Sequence, residues 1–397
     1  MTAARRALAL CLVLLVAGCV APTANAPGPS PVADDAATDS PATTTTAEST
    51  PGDAPEHVVV DGDLSVDANQ TFDRVAALLD ADYAPTRVVV EDLSGRRTAS
   101  FDGVPFFSAF GVTDPEDAGA GPAGLTTLDA MVYVSPAAAD SARVEQVLAH
   151  EFVHVAQVRE DMVPWFGGLA PAPASVDEQF VRRALVEGAA VYVTDAYTRA
   201  HQPGTGLQSA ELAAAYADAG AAGRFLFGQY HFGFQYVDAT LQDPAELPDL
   251  YEDPPKTSEQ VLHPGSEDAP VALNVTVDAE SFDRLQSQTS RAGEFLTRVV
   301  LRQTTRRSTA REAAAGWGND DVVAFDTPNG SSVAWVTRWD TTEDADEFAA
   351  AARTLDDQPS EVAYRTERVD EDTVVVFAGT EQFVETAEAS GNVTIAA

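Results

Sequence analysis

Lysine is almost absent from this sequence: Lys256 is the only one, and 24 Lys and Arg together face 62 Asp and Glu, for a formal net charge of -38. A surface so negative repels phosphates at long range, which excludes a nucleic-acid partner. The acid is spread along the chain rather than gathered into a run, so it reads as an adaptation to solvent, in which concentrated salt screens the self-repulsion. Cysteine is equally scarce. Cys11 and Cys19 both fall in the first 19 residues, and a leader that removes the first and modifies the second leaves no thiol for a disulfide, a metal or a nucleophile. The apolar run from Ala7 to Ala17 is too short to stay in a bilayer as a permanent helix. Histidine numbers only six, so any pattern among them is informative.

What is present divides the chain into four parts. Residues 1–19 read as a targeting segment, with Arg5-Arg6 ahead of the apolar run and Leu15-Val16-Ala17-Gly18-Cys19 at its end. The last five resemble a lipobox, with lipid on Cys19, and the paired arginines resemble a twin-arginine export signal. The expected location is the outer face of the cell membrane, lipid-anchored. Residues 20–57, rich in Pro, Ala, Thr and Ser, have almost nothing to bury and read as a disordered tether. Sequons at Asn69, Asn274, Asn329 and Asn392 fit an exported, glycosylated chain. Residues 58–270 and 271–397 then offer enough apolar sequence, 45% over the whole chain, for two folded domains.

The chain is organised around His150-Glu151-Phe152-Val153-His154. Residues four apart share a helix face, so both imidazoles can point at one metal ion while Glu151 reaches a water beside it. With six histidines in 397 residues, this spacing arises by chance in roughly one chain in a hundred. Its helix is expected to start at Asp140 or Ser141, both good N-caps, and to run to about Arg159. Val144, Val147, Leu148, Phe152, Val155 and Val158 make it apolar over more than one face, which predicts burial and makes a polar His-Glu-His face costly without a purpose. Just before it, Met131-Val132-Tyr133-Val134 reads as a strand; residues 130–134 are either a buried structural strand, the commoner outcome, or an edge strand that takes an extended substrate by strand addition. After it, a capping box at Ser175 and Glu178 opens a long helix toward Arg199. On that helix Glu187 is a carboxylate in an otherwise apolar run, and Gly188, Ala189 and Ala190 beside it permit close packing against another helix.

Together these stretches resemble the gluzincin metallopeptidases, in which His-Glu-x-x-His is followed on a second helix by a glutamate ligand. Glu187 lies 33 residues after His154, and Glu-Gly-x-Ala is similar to that family's ligand helix. The resemblance implies Zn2+ held by His150, His154 and Glu187. Metal chemistry agrees, since a catalytic zinc favours three protein ligands of the His2Glu type and one open position. An aspartate as third ligand stays open, with Asp161 and Asp195 in reach. Where the best-known gluzincins carry an aspartate four residues after the ligand glutamate, this chain has Val191, so Asp195 is the expected acceptor that orients a zinc histidine. The segments Phe227 to Val237 and Pro254 to Pro264 resemble parts of exported proteins with the same motif, including surface lipoproteins of salt-loving archaea. Tyr230, His231 and His263 are the candidate donors to a developing oxyanion.

The implied fold is α+β: a mainly helical zincin-like domain with a small N-terminal sheet, then a small α+β domain with an antiparallel sheet. In that second domain two helices between 293 and 317 precede a β-β-α-β-β-α run. The implied activity is a zinc-dependent metallopeptidase with Glu151 as general base, acting on a peptide or protein substrate. The alternative is a non-catalytic cell-surface binding lipoprotein with a structural or vestigial zinc site. A structural site, however, has no need of Glu151.

Overall fold

The computed structural model describes residues 17–19 and 58–397, apart from 85, 97–100, 102, 114–120, 167–174, 286–290, 329, 358–359 and 392. The paired arginines, the tether, and the sequons at Asn329 and Asn392 lie outside the described residues. The chain is α+β. Strands β1 (Ala17–Cys19), β2 (Val58–Asp61), β3 (Thr86–Val90), β4 (Gly124–Thr126) and β5 (Val132–Val134) form one sheet in the order β1-β4-β5-β3-β2. β2, β3 and β5 run parallel, and β4 is antiparallel to both β5 and β1. β5 is therefore an interior, structural strand, and not an edge open to a substrate. The pairing that displaces it comes from β4, three residues at the end of a Gly/Pro-rich loop with no alternating pattern to announce them. Helix α1 (Ala68–Leu78) crosses from β2 to β3. Asp67 caps it by accepting from the backbone N–H groups of Asn69 and Gln70, as helix N-termini require. Short helices α2 (Pro105–Ala109) and α3 (Pro136–Ala139) follow.

The histidine helix, α4, spans Val144–Arg159. It begins three to four residues later than expected, because Asp140 closes α3 and the Ser141 hydroxyl accepts from the Arg143 N–H, so neither caps α4. Residues from Val144 to Gln157 are nearly all buried, as the wrapped apolar pattern predicts. Next come α5 (Val176–His201), α6 (Gln208–Asp218), α7 (Ala221–Thr240), a 3-10 turn at Pro244–Tyr251, and α8 (Ser258–Leu262). The Ser175 hydroxyl accepts from Glu178 N–H at the start of α5, the cap expected there. α5 and α7 meet backbone to backbone. A Cβ on Gly188 would fall 2.1 Å from the carbonyl carbon of Gly233, and one on Gly233 would fall 2.0 Å from the Ala184 oxygen. Only glycine permits this approach, and it sets the crossing one residue from Glu187.

Beyond residue 270 lie β6 (Thr276–Asp278), β7 (Asp283–Leu285), α9 (Gly293–Leu301), α10 (Arg307–Glu312), β8 (Trp317–Thr327), β9 (Gly330–Trp339), α11 (Thr342–Ala352), β10 (Ala363–Arg368), β11 (Thr373–Gly379), α12 (Glu381–Thr386), β12 (Glu388–Ser390) and β13 (Thr394–Ala396). The sheet β10-β11-β9-β8-β7 is antiparallel throughout, and its strand-helix order matches the sequence pattern. β6, β13 and β12 form a separate three-stranded sheet.

The expected break at residue 270 is not a break in packing, because one apolar core runs through both parts. Phe180 of α5 stacks on Phe295 of α9 at 4.1 Å, and Phe106 of α2 and Phe110 just after it pack edge-on against Trp335 of β9 at 5.2 and 5.3 Å. Such pairs contribute about 0.5–1.5 kcal/mol each beyond their buried area. A polar tie reinforces the seam. The buried Asp320 carboxylate accepts from the backbone N–H groups of Ala292 and Gly293 and from the indoles of Trp317 and Trp335. Four donors make up much of the cost of burying that charge. Among the described residues no helix is long and apolar enough to cross a membrane.

Candidate metal centre

Two helices deliver three ligating atoms to one buried point. His150 and His154 lie one turn apart on α4, and Glu187 faces them from α5; all three side chains are buried. The two Nε2 atoms are 3.2 Å apart, and Glu187 Oε2 lies 3.4 Å from one and 3.5 Å from the other. Ligands about 2.05 Å from a tetrahedral ion sit about 3.3 Å from one another, so the triangle has the size that such an ion imposes.

Hydrogen bonding on the far side of each ring decides what the Nε2 atoms offer. His154 Nδ1 lies 2.7 Å from Gln157 Oε1, while the Nε2 of Gln157 donates to the Val186 carbonyl at 3.1 Å and to the Tyr251 hydroxyl at 2.8 Å. A carbonyl only accepts, so the amide cannot turn over, and Gln157 Oε1 must receive a proton from Nδ1. The Nε2 lone pair of His154 is thereby directed at the triangle. His150 Nδ1 lies 3.0 Å from Gln208 Oε1, the glutamine arriving on the first turn of α6, and an Nδ1–H donating to that oxygen turns the His150 Nε2 lone pair to the triangle as well. Glu187 Oε2 makes no hydrogen bond of good geometry among the described residues. Three acceptors thus converge with no donor between them, an arrangement that a cation relieves. His150, His154 and Glu187 could hold a metal ion.

The electrostatics agree with this reading. Burial works against ionisation of Glu187, but the two imidazoles outweigh it and hold its carboxyl down at about 2. Burial also works against a charged His154, yet Glu187 and then Glu151 raise its pKa. Glu151 is fully buried. Burial pushes its carboxyl up, against the opposing pull of His154, His150 and the Thr126 hydroxyl. Thr126 of β4 donates to Glu151 Oε2 at 2.7 Å, and Oε1 has no partner among the described residues. Gly124 leaves that oxygen its space, since a Cβ there would lie 2.6 Å from it.

The other expected residues fall elsewhere. Asp195 touches neither imidazole; its carboxylate accepts from the Ser209 N–H at 3.3 Å and hydroxyl at 2.5 Å, with Arg199 at 3.8 Å. It therefore acts one step further out, fixing the start of α6 that brings Gln208 to His150. Tyr230 is close, its ring 6.4 Å from that of His150. His231, the next residue on α7, points away and stacks on Tyr216 at 5.2 Å. His263 lies at the end of α8, within 3.2 Å of Glu294 and Arg298 and in contact with no member of the triangle. Neither His231 nor His263 is placed to serve chemistry at the triangle. Asn69 is a poor acceptor for a glycan, because its amide bonds both backbone groups of Val58, whereas Asn274 is exposed in a loop. Two features escaped the sequence reading. The orienting glutamines carry no motif, although Gln157 sits one turn after His154. Arg183, one turn before Glu187 on α5, is half-buried, and desolvation lowers its pKa against the opposing charges of Glu187 and Tyr230. Its i, i+4 spacing was the available signal.

Residues 281–396 match the family model of a domain of unknown function, DUF8575. That segment begins well after Glu187 and contains none of the triangle. No curated protein and no solved structure matches the chain.

Proposed function

We propose that the chain is an exported, lipid-anchored zinc-dependent hydrolase that cleaves peptide bonds in a peptide or protein substrate, with His150, His154 and Glu187 as metal ligands and Glu151 as general base. The observation that carries the reading is the pairing of a donor-free triangle of acceptors with a second buried carboxylate on the same helix. A purely structural site would have no use for Glu151, and burying it costs stability. Two nitrogens and one carboxylate oxygen suit zinc among the common metals. When bound, zinc polarises the scissile carbonyl and supplies an acidified water.

The chain's own residues account for the proton traffic. Thr126 occupies Glu151 Oε2 and leaves Oε1 free to accept a proton from the attacking water. As the C–O bond forms and the C–N bond breaks, the same oxygen returns that proton to the leaving amine. Tyr230, its ring 6.4 Å from that of His150, and Arg183, one turn before Glu187 on α5, would steady the developing negative charge. An extended peptide has a place on β4 rather than β5. Along the outer edge of β4, where Ala17–Cys19 pairs antiparallel in this chain, a substrate strand would run next to Gly124 and Thr126, the residues that touch Glu151. Cleavage ahead of Cys19, as the lipobox implies, would remove Ala17 and Gly18 from that edge.

Metal analysis of purified protein should find about one zinc per chain. Glu151→Gln should keep the metal and lose hydrolysis of a mixed quenched-fluorescence peptide library. Zinc-free protein after remetallation, or full activity in Glu151→Gln, would sink the proposal.

A further inference from the structure

On the other side of α7 from the metal centre lies a cavity of about 490 Å³. It is walled by α6, α7 and α8 from the first part of the chain and by α9 and α10 from the part that matches the family model. Five arginines line it: Arg224, Arg298, Arg302, Arg307 and Arg311. The whole chain holds 23 arginines, 24 Lys and Arg less the single lysine, among 62 acidic residues, so a gathering of five is not what its composition favours.

Salt-adapted surfaces commonly use arginine to pair with their abundant carboxylates, and that account fits Arg298, which bonds Glu294. It fails for the others. Among the described residues no carboxylate lies within 4.0 Å of Arg224, Arg302, Arg307 or Arg311. Glu312 lines the cavity without forming an ion pair among those residues. The guanidinium groups instead act on one another and on their neighbours. Burial and then Arg302 lower the pKa of Arg224, and burial and then Arg307 push His231 down to about 4. The stacked pair of His231 and Tyr216, with Phe232 and Leu262, gives the same cavity an apolar wall.

We propose that this cavity binds a small molecule bearing phosphate groups with two or more negative charges, its oxygens held by the arginines and its organic part against Tyr216 and His231. Guanidinium forks match phosphate oxygens in pairs, and several facing one space suit a multivalent anion better than a halide. The volume is that of a ligand pocket and far exceeds a single ion. Because the walls come from both parts of the chain, an anion there would bridge them. α7 would be common to both sites: Arg224 and His231 face the cavity, while Tyr230, about 100° away around the helix, faces His150.

The test is calorimetric titration of the full chain, at the salt that keeps it folded, with sodium pyrophosphate and separately with vesicles of phosphatidylglycerol or phosphatidylcholine. Saturable one-site binding of pyrophosphate is expected, with an upward shift in Tm. Arg307→Gln and Arg311→Gln, both exposed and safe for folding, should each weaken it at least tenfold. Arg306→Gln, exposed on the same segment but outside the cavity, should leave it unchanged. Binding of phosphatidylglycerol vesicles alone, with the same dependence on Arg307 and Arg311, would identify the phosphate source as a lipid headgroup. Binding of neither probe by the folded wild-type chain, or equal losses in all three variants, would overturn the site. Zinc content and peptide hydrolysis do not enter these readouts, so the outcome is separable from that of the proposed hydrolase.

Discussion

Gln157→Met isolates how the triangle is held, and it needs no knowledge of a substrate. Methionine nearly conserves the volume of the buried glutamine while removing its acceptor to His154 Nδ1 and its donors to the Val186 carbonyl and the Tyr251 hydroxyl. The first loss frees the imidazole to take the other tautomer or to rotate. Partners that orient a metal-bound histidine are worth about 10- to 100-fold in affinity, or about 1.4–2.7 kcal/mol. The second loss strands the buried Tyr251 hydroxyl, whereas the Val186 carbonyl keeps its helical partner inside α5, at a cost of about 1–3 kcal/mol in folding stability. The two effects are separable: zinc affinity is read by chelator competition well below the melting transition, and stability by thermal denaturation of metal-free protein. We expect weaker zinc binding and a lower Tm together. A variant that melts early but binds zinc as tightly as the wild type would refute the claim that Gln157 sets the His154 tautomer.

Other perturbations test different contacts. Gly124→Ala would place a methyl 2.6 Å from Glu151 Oε1 and 2.9 Å from its Cγ, displacing the carboxylate by several tenths of an ångström. Misplacement on that scale costs up to about 100-fold in turnover, while metal content, measured by mass spectrometry, should hold. The buried acids also set a pH dependence. Burial pushes Asp177 up to about 7 and Asp320 to about 6, both from 3.8. Each binds its proton more tightly folded than unfolded, so stability should fall as pH rises from about 4 to about 7. Asp177→Asn should flatten that slope in chemical melts of the metal-free protein. Glu187, depressed from 4.5 to about 2, works in the opposite sense: its contribution is present above pH 4.5 and is lost as pH falls toward 2.

What was legible in the sequence followed from local geometry. His150 and His154 meet because four residues make about one helical turn, and Gly188 beside Glu187 announced a close helix crossing that Gly233 completes. The antiparallel strands beyond Trp317 could be read from their β-branched and aromatic runs and the β-β-α-β-β-α order. The failures share a cause in docking, which the local pattern does not encode. Gln208 reaches His150 only because α6 folds back, 58 residues later. Asp195 lies two turns beyond Glu187, yet α6 takes its carboxylate first. β4 emerges from a loop whose composition hides a strand, and it moved β5 off the edge. Tyr230 and His231 were weighed alike, although about 100° separates them around α7, and only Tyr230 lies near His150 while His231 stacks on Tyr216.

The same limit explains why the arginine cavity was overlooked and why it bears on the charge argument. A net charge of -38, averaged over the chain, excludes polyanionic partners only for an average surface. Six arginines crowd the stretch between Arg291 and Arg311, and the fold turns four of them, with Arg224 from α7, toward one space. Inside a cavity the low-dielectric walls keep distant carboxylates from cancelling that field, whereas salt screens the exposed acids within about 10 Å or less. In concentrated salt the long-range repulsion between the acidic surface and a polyanion would fade faster than the short-range attraction at the guanidinium groups. A small phosphate ligand is thus compatible with a surface that rejects a polyanion, and its affinity should fall less steeply with salt than the loose binding of phosphate to a single exposed arginine.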